Sequence, residues 1–262
     1  MKIRYVLVLG WIVSMGIQLG AQDVQWRGPN RDGIYPDRDL LKEWPEGGPE
    51  VLFATEGIGR GYSSAVATES TIYVTGIQDS TEFLTAMDLD GTILWQQSIG
   101  KAWNQTFPET RSTPTVEGDR IYLITGLDKL VCIHVNKGEV VWTVDLHETY
   151  QGQWDMFGVS ESVLLVDDKV ITAPCGESTT AIALDKLTGE LIWKTESMGA
   201  KRGNMSPQLI EHCGKRYVLM ATQTHLFSVE PEDGTILWEY HYNILDSLQQ
   251  NSTILANTPS YK

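Results

Sequence analysis

From about residue 60 onward, apolar and polar residues alternate in short runs: TIYVTGI, EFLTAMDL, RIYLITG, KLVCIHV, KVITAPC, TTAIALD, RYVLMAT and HLFSVEP. Gly, Asp and Asn separate the runs. A period of two in β-branched and aromatic residues, broken by turn formers, predicts antiparallel strands. No stretch of the chain after the leader has convincing helical periodicity, so the expected class is all-β.

The runs are organised by a repeat. DGTILW occurs at Asp90–Trp95 and again at Asp233–Trp238, and two weaker copies lie between them. Aligned on their glycines the copies read LTAMDLDGTILW, VCIHVNKGEVVW, AIALDKLTGELIW and FSVEPEDGTILW, with Gly91, Gly138, Gly189 and Gly234 each four residues ahead of Trp95, Trp142, Trp193 and Trp238. The glycines are 47, 51 and 45 residues apart, and each period holds four strand-like runs. That arithmetic predicts a β-propeller of four-stranded antiparallel blades, at about residues 60–98, 111–146, 160–196 and 204–241. A β-sandwich is the rival fold, but it gives no reason for a tryptophan at one place in every unit. In a propeller the tryptophan fills the gap between diverging blades, and the glycine makes the tight turn before it with positive φ.

The two ends do not match a closed ring. PEVLFATEGI, residues 49–58, resembles an outer strand with Phe53 in the tryptophan place, as a closure strand would. Thr258-Pro259 repeats the approach to an inner strand seen at Thr113-Pro114 and Ser206-Pro207, so a fifth blade begins near residue 256. These features predict an N-terminal fragment of a propeller with seven or eight blades.

Composition adds compartment and partners. Lys2 and Arg4, an apolar run to about Ile17 and small residues to Ala21 make residues 1–21 a predicted secretory signal peptide. The alternative, a membrane anchor, has an apolar run short of the roughly 20 residues that span a bilayer. The expected location is therefore exported, periplasmic or extracellular, with residues 22–262 as the partial propeller and no stable membrane insertion after cleavage. The net charge of −14 comes from 20 Lys and Arg against 34 Asp and Glu, and two of the basic residues lie in the leader. Such a surface repels phosphate backbones, which argues against nucleic acid as partner. Cys132, Cys175 and Cys213 show no metal or redox spacing, and an odd number cannot pair fully within one chain.

The repeat, seen best as ALDKLTGELIW at Ala183–Trp193, resembles the pyrroloquinoline-quinone (PQQ)-type propeller repeat. The opening VQWRGPNRDGIYP, Val24–Pro36, is similar to the start of BamB-like exported bacterial propellers. This resemblance implies fold more than activity, since the repeat serves quinoprotein dehydrogenases and assembly scaffolds alike. Its enzymes hold the quinone on the axis beside a calcium ion, with an aspartate base and often two adjacent cysteines. No adjacent cysteine pair occurs here, and the second copy has Val135 where the repeat's Asp is expected.

Ligands of a propeller are expected on the face opposite the glycine turns, where inner strands begin. Aligned repeats place Tyr62-Ser63-Ser64, Arg111-Ser112-Thr113, Ser160-Glu161-Ser162, Asn204-Met205-Ser206 and Ala256-Asn257-Thr258 at equivalent sites. The recurring hydroxyls suit backbone hydrogen bonds near the axis. The varying residues Tyr62, Arg111, Glu161 and Asn204 are the candidate ligand contacts, with Glu161 and Asn204 as possible calcium ligands. Trp103 and Trp154, in long loops on the same face, either stack on a quinone, sugar or peptide ring or cap their own blades. The functional expectation is a binding or assembly scaffold for a protein, small-molecule or carbohydrate ligand. The alternatives are a PQQ- and calcium-dependent alcohol or sugar dehydrogenase and a carbohydrate-binding module.

Overall fold

A computed structural model of the chain describes residues 24–241 apart from Pro36 and Asp155. The leader and the start of a fifth blade lie outside the described residues. Among the described residues no helix is long and apolar enough to cross a membrane.

Sixteen strands form four separate four-stranded antiparallel sheets, each in sequence order, which are four propeller blades. Blade one comprises β1 (Val66–Ala67), β2 (Thr71–Gln78), β3 (Thr81–Asp88) and β4 (Ile93–Lys101). Blade two comprises β5 (Thr115–Glu117), β6 (Arg120–Ile124), β7 (Lys129–His134) and β8 (Val140–Asp145). A single helical turn, α1 (Leu146–Tyr150), follows. Blade three comprises β9 (Leu164–Val166), β10 (Lys169–Thr172), β11 (Ile182–Asp185) and β12 (Leu191–Lys194). Blade four comprises β13 (Gln208–His212), β14 (Lys215–Ala221), β15 (His225–Val229) and β16 (Ile236–His241).

The core lies between blades. On β6, Ile121 and Leu123 pack toward blade one, while Tyr122 and Ile124 pack toward blade three. Alternation therefore serves two apolar interfaces, and the strand reads as an almost continuous apolar run.

The glycine and tryptophan of the repeat join neighbouring blades. Trp95 Nε1 donates to Val135 O at 3.0 Å, Trp142 Nε1 to Lys186 O at 3.2 Å and Trp193 Nε1 to Pro231 O at 3.0 Å, in each case the carbonyl three residues ahead of the next blade's glycine. The indole rests on that glycine: a Cβ on Gly138, Gly189 or Gly234 would meet the preceding tryptophan at 2.8, 2.9 or 2.4 Å. These glycines, and Gly91, have φ between 68° and 84°. A β-bulge aims the ring. In every blade the outer-strand register slips at the residue before the tryptophan, namely Leu94, Val141, Ile192 and Leu237. Opposite the tryptophan stands a small residue: Ala86, Cys132, Ala183 or Ser228. Burying an indole of 150 to 250 Å2 contributes roughly 4–6 kcal/mol before entropy is counted.

Two expectations need correction. Residues 49–58 form no strand and join none of the four sheets. Phe53 nonetheless covers Gly91 as the tryptophans cover theirs, and Thr55 Oγ1 donates to Gly91 O at 2.7 Å. The helix α1 was not foreseen. It is a five-residue turn started by Asp145, whose Oδ1 accepts from Glu148 N at 3.0 Å, and ended by Gln151 at φ 57°.

Candidate functional site

The segments that lead into the inner strands form a ladder of hydroxyls. Ser64 N donates to Thr113 Oγ1 at 3.2 Å, Thr113 N to Ser162 Oγ at 3.0 Å and Ser162 N to Ser206 Oγ at 2.9 Å. Each blade thus gives its neighbour one side-chain acceptor near the axis, which removes a buried unpaired N–H.

The residue before each rung turns into its own blade. Ser112 Oγ accepts from Ile124 N at 3.4 Å, and at the equivalent place Glu161 Oε1 accepts from Ala173 N at 3.1 Å and Thr172 Oγ1 at 2.6 Å. Glu161 is therefore one position out of phase with Tyr62, Arg111 and Asn204, whose counterpart in blade three is Ser160. Ser160 Oγ donates to Asn204 Oδ1 at 2.7 Å, which ties blades three and four. Glu161 is buried with its oxygens on protein donors, and Asn204 Oδ1 accepts from Ser160. No group of three His, Cys, Asp or Glu side chains that could hold a metal ion occurs among the described residues.

Buried charge lies behind this layer. Arg202 Nη1 is 3.0 Å from Asp128 Oδ1, and both side chains are buried. Burial works against the charge on Arg202, but Asp128 and Glu161 outweigh it and its pKa is raised. Burial raises Asp128 to about 6 even though Arg202 favours its charged form. Glu82, in the corresponding place of blade one, is raised by burial to about 7, against hydrogen bonds from Gly126 N and Trp103 N and the charge of Arg111. It accepts from Gly126 N at 3.0 Å.

The outer loops are braced by Arg111. Its Nη1 donates to Phe157 O at 2.7 Å and Glu109 O at 2.9 Å, and its Nη2 to Phe107 O at 2.7 Å. Two long loops, after β4 and after α1, are thereby locked together; Thr106 Oγ1 also donates to Met156 O. Around this brace apolar side chains stand in solvent: Tyr62 is 64% exposed, Phe107 62% and Met156 56%. The guanidinium lies 5.6 Å from the Tyr62 ring, and the Phe107 and Phe157 rings are 6.0 Å apart. Phe107 and Met156 were missed in the sequence, where no repeat position marks them.

The two loop tryptophans differ. Trp103 is buried, packed on Gly126 and Gly158, with Nε1 donating to Thr106 O at 3.2 Å, so it caps its own loop. Trp154 is half-buried, edge-on to Trp103 at 6.1 Å and 4.4 Å from the His147 ring. It borders a cavity of about 220 Å3 with Lys101, Lys129, Asp145, His147 and Glu148.

Residues 56–253 match the family described as outer membrane protein assembly factor BamB. The chain belongs to this PQQ-like, BamB-type family of β-propellers. A BamB protein of Kangiella koreensis is 29% identical over 144 residues, which cover 53% of this chain and 33% of that protein. The chain thus spans about a third of that curated relative's length. Among solved structures, the quinohemoprotein alcohol dehydrogenase ADHIIG of Pseudomonas putida HK5 superposes with TM-score 0.51 and 15% identity, over 71% of this chain and 34% of that one. A europium-containing methanol dehydrogenase gives TM-score 0.52 and 16% identity, over 70% of this chain and 42% of that one. At such identities the likeness is one of fold.

The quinone and calcium that the PQQ-type repeat implies do not fit the described residues. The axial hydroxyls bond neighbouring blades, the carboxylates of Glu82 and Glu161 face protein donors, and an arginine of the N-terminal segment fills the axial side of blade three.

Proposed function

We propose that the protein is an exported, periplasmic or extracellular scaffold that holds a protein partner on its loop face, in a process of the kind its family description names, outer membrane protein assembly. One observation carries this reading: Phe107 and Met156 stand exposed on the two loops that Arg111 has already fastened, and Tyr62 stands exposed beside its guanidinium. Aromatic, Met and Arg side chains are enriched at interface centres, and a braced surface loses little entropy on binding. The test is complementation of a deletion strain with the triple variant Tyr62→Ala, Phe107→Ala, Met156→Ala. The variant keeps its urea midpoint but leaves outer-membrane barrel proteins at the level of the deletion. Full complementation by the folded variant sinks the reading, as would dye-linked dehydrogenase activity that the variant retains.

A second reading rests on the cavity beside Trp154, whose aromatic face and balanced charges suit a neutral sugar ring. Titration with mono- and disaccharides, with Trp154→Ala as control, tests it: saturable binding lost in the variant supports the reading, and no binding ends it.

A further inference from the structure

The opening motif VQWRGPNRDG is used by neither reading, yet it holds the most unusual place in the fold. β5 is the innermost strand of blade two, so the edge it turns away from β6 faces the propeller axis. Val24 occupies that edge: Val24 N donates to Val116 O at 3.0 Å and Val116 N to Val24 O at 2.8 Å. Seven residues later Arg31 is buried at 2% exposure. Its Nη1 donates to Val163 O at 2.6 Å and Gln25 Oε1 at 3.1 Å, and its Nη2 to Ser162 O at 2.7 Å. Ser162 and Val163 are the last residues before β9, the inner strand of blade three. Glu161 lies near enough to offset part of the cost of burying the guanidinium. Trp26 flanks the segment, with Arg27 and Arg31 at 5.3 and 5.8 Å from its ring.

We infer that the axial side of blades two and three is a peptide-binding site for a turned, arginine-bearing segment, and that residues 24–31 fill it in cis, with backbone turns closed by Gly28 N on Gln25 O at 3.2 Å and Arg31 N on Gly28 O at 3.0 Å. Recognition has two parts. The β5 edge pairs with one residue at the head of the segment through two backbone hydrogen bonds, a single-residue form of pairing to a sheet edge. A second part reads arginine, because two carbonyls from consecutive residues receive the two ends of one planar fork, while a carboxylate stands behind. An ammonium offers a point charge and no such fork. The ligand class is thus a peptide with a strand-forming residue several positions ahead of an arginine. The cis segment competes with any such peptide at the high effective concentration of a tethered ligand.

The experiment uses the full chain and two synthetic peptides of sequence VQWRGPNRDG, one of them with citrulline at the second arginine. Wild-type protein binds neither, since its site is filled. Arg31→Ala protein, folded by circular dichroism and urea midpoint, binds the arginine peptide about tenfold or more tightly than the citrulline peptide, the contrast expected from a lost charged fork. Equal binding of both peptides, or of neither, overturns the inference. Arg31→Lys keeps charge and length in case the alanine variant does not fold. In that variant tryptic cleavage after Arg27 accelerates about tenfold as the segment lets go. Cleavage at the wild-type rate overturns the inference as well. Neither readout depends on the loop-face partner, so the two proposals fail separately.

Discussion

Gly189→Ala tests how the blades are joined. Gly189 has φ 76°, where an L side chain costs about 1–2 kcal/mol. Its new methyl would stand 2.9 Å from both Cδ2 and Cε3 of Trp142, whose ring is held by a hydrogen bond to Lys186 O at 3.2 Å. A rigid ring in a packed interface cannot give way cheaply, and overpacking of this kind costs about 1–3 kcal/mol more. Gly118→Ala is the control: it sits in the β5–β6 turn at φ 57° with nothing within 4 Å of the added methyl, so it carries only the backbone cost. With a urea slope of about 2 kcal/mol/M, Gly189→Ala should lower the midpoint by roughly 0.5–1.5 M more than Gly118→Ala. In a Trp142→Ala background the excess should vanish, because the clash is then gone. Equal midpoints for the two single variants, or an excess that survives without Trp142, would refute the claim that the indole rests on the glycine turn.

Two other outcomes are expected. Trp193→Phe keeps the ring but loses the Nε1 bond to Pro231 O at 3.0 Å, and should cost about 1–2 kcal/mol in urea unfolding; an unchanged midpoint would count against the lock. Glu82 is raised by burial to about 7, so between its unfolded value near 4.5 and about 7 the folded chain holds a proton that the unfolded chain lacks. That contribution is full below the unfolded value and is lost as pH rises through about 7, at about 1.4 kcal/mol per pH unit. Glu82→Gln should flatten the fall in urea midpoint between pH 5 and 8, leaving the part due to Asp128 and Glu161, which burial also raises; an equally steep fall in the variant would contradict the assignment.

The architecture was legible because blade packing imposes its period on the sequence. Gly91, Gly138, Gly189 and Gly234 need positive φ and no Cβ, and Trp95, Trp142 and Trp193 need the same glycine-backed seat, so selection of residue type repeats with the fold. Even the bulge is written there. Two apolar residues in succession before each tryptophan, as in Ile93-Leu94 and Val140-Val141, break the alternation where the register slips. What stayed hidden depends on contacts between repeats rather than within one. Arg111 bonds carbonyls, which carry no residue identity, and so its role as a brace left no mark on Phe107 or Phe157. Glu161 was grouped with Tyr62, Arg111 and Asn204 because it is the charged residue of its triplet, although the alignment of Ser160-Glu161-Ser162 sets it level with Ser63, Ser112 and Met205. The buried carboxylates had a usable signal: Glu82 and Asp128 each stand four residues before the small residue opposite a tryptophan, Ala86 or Cys132. A charge at a repeat position in an otherwise apolar strand points to a partner across the blade interface.

The central claim is that the loop face around Arg111, and not the apolar outer rim, is the working surface. Photo-crosslinking in the native host tests it most directly, with the photoreactive residue placed at Phe107 or, as the rim control, at Leu94, which is also exposed. A discrete protein adduct is expected from position 107, lost when Tyr62→Ala and Met156→Ala are added, and none from position 94. Adducts from the rim alone, or adducts from position 107 that persist in the folded variant, would contradict it.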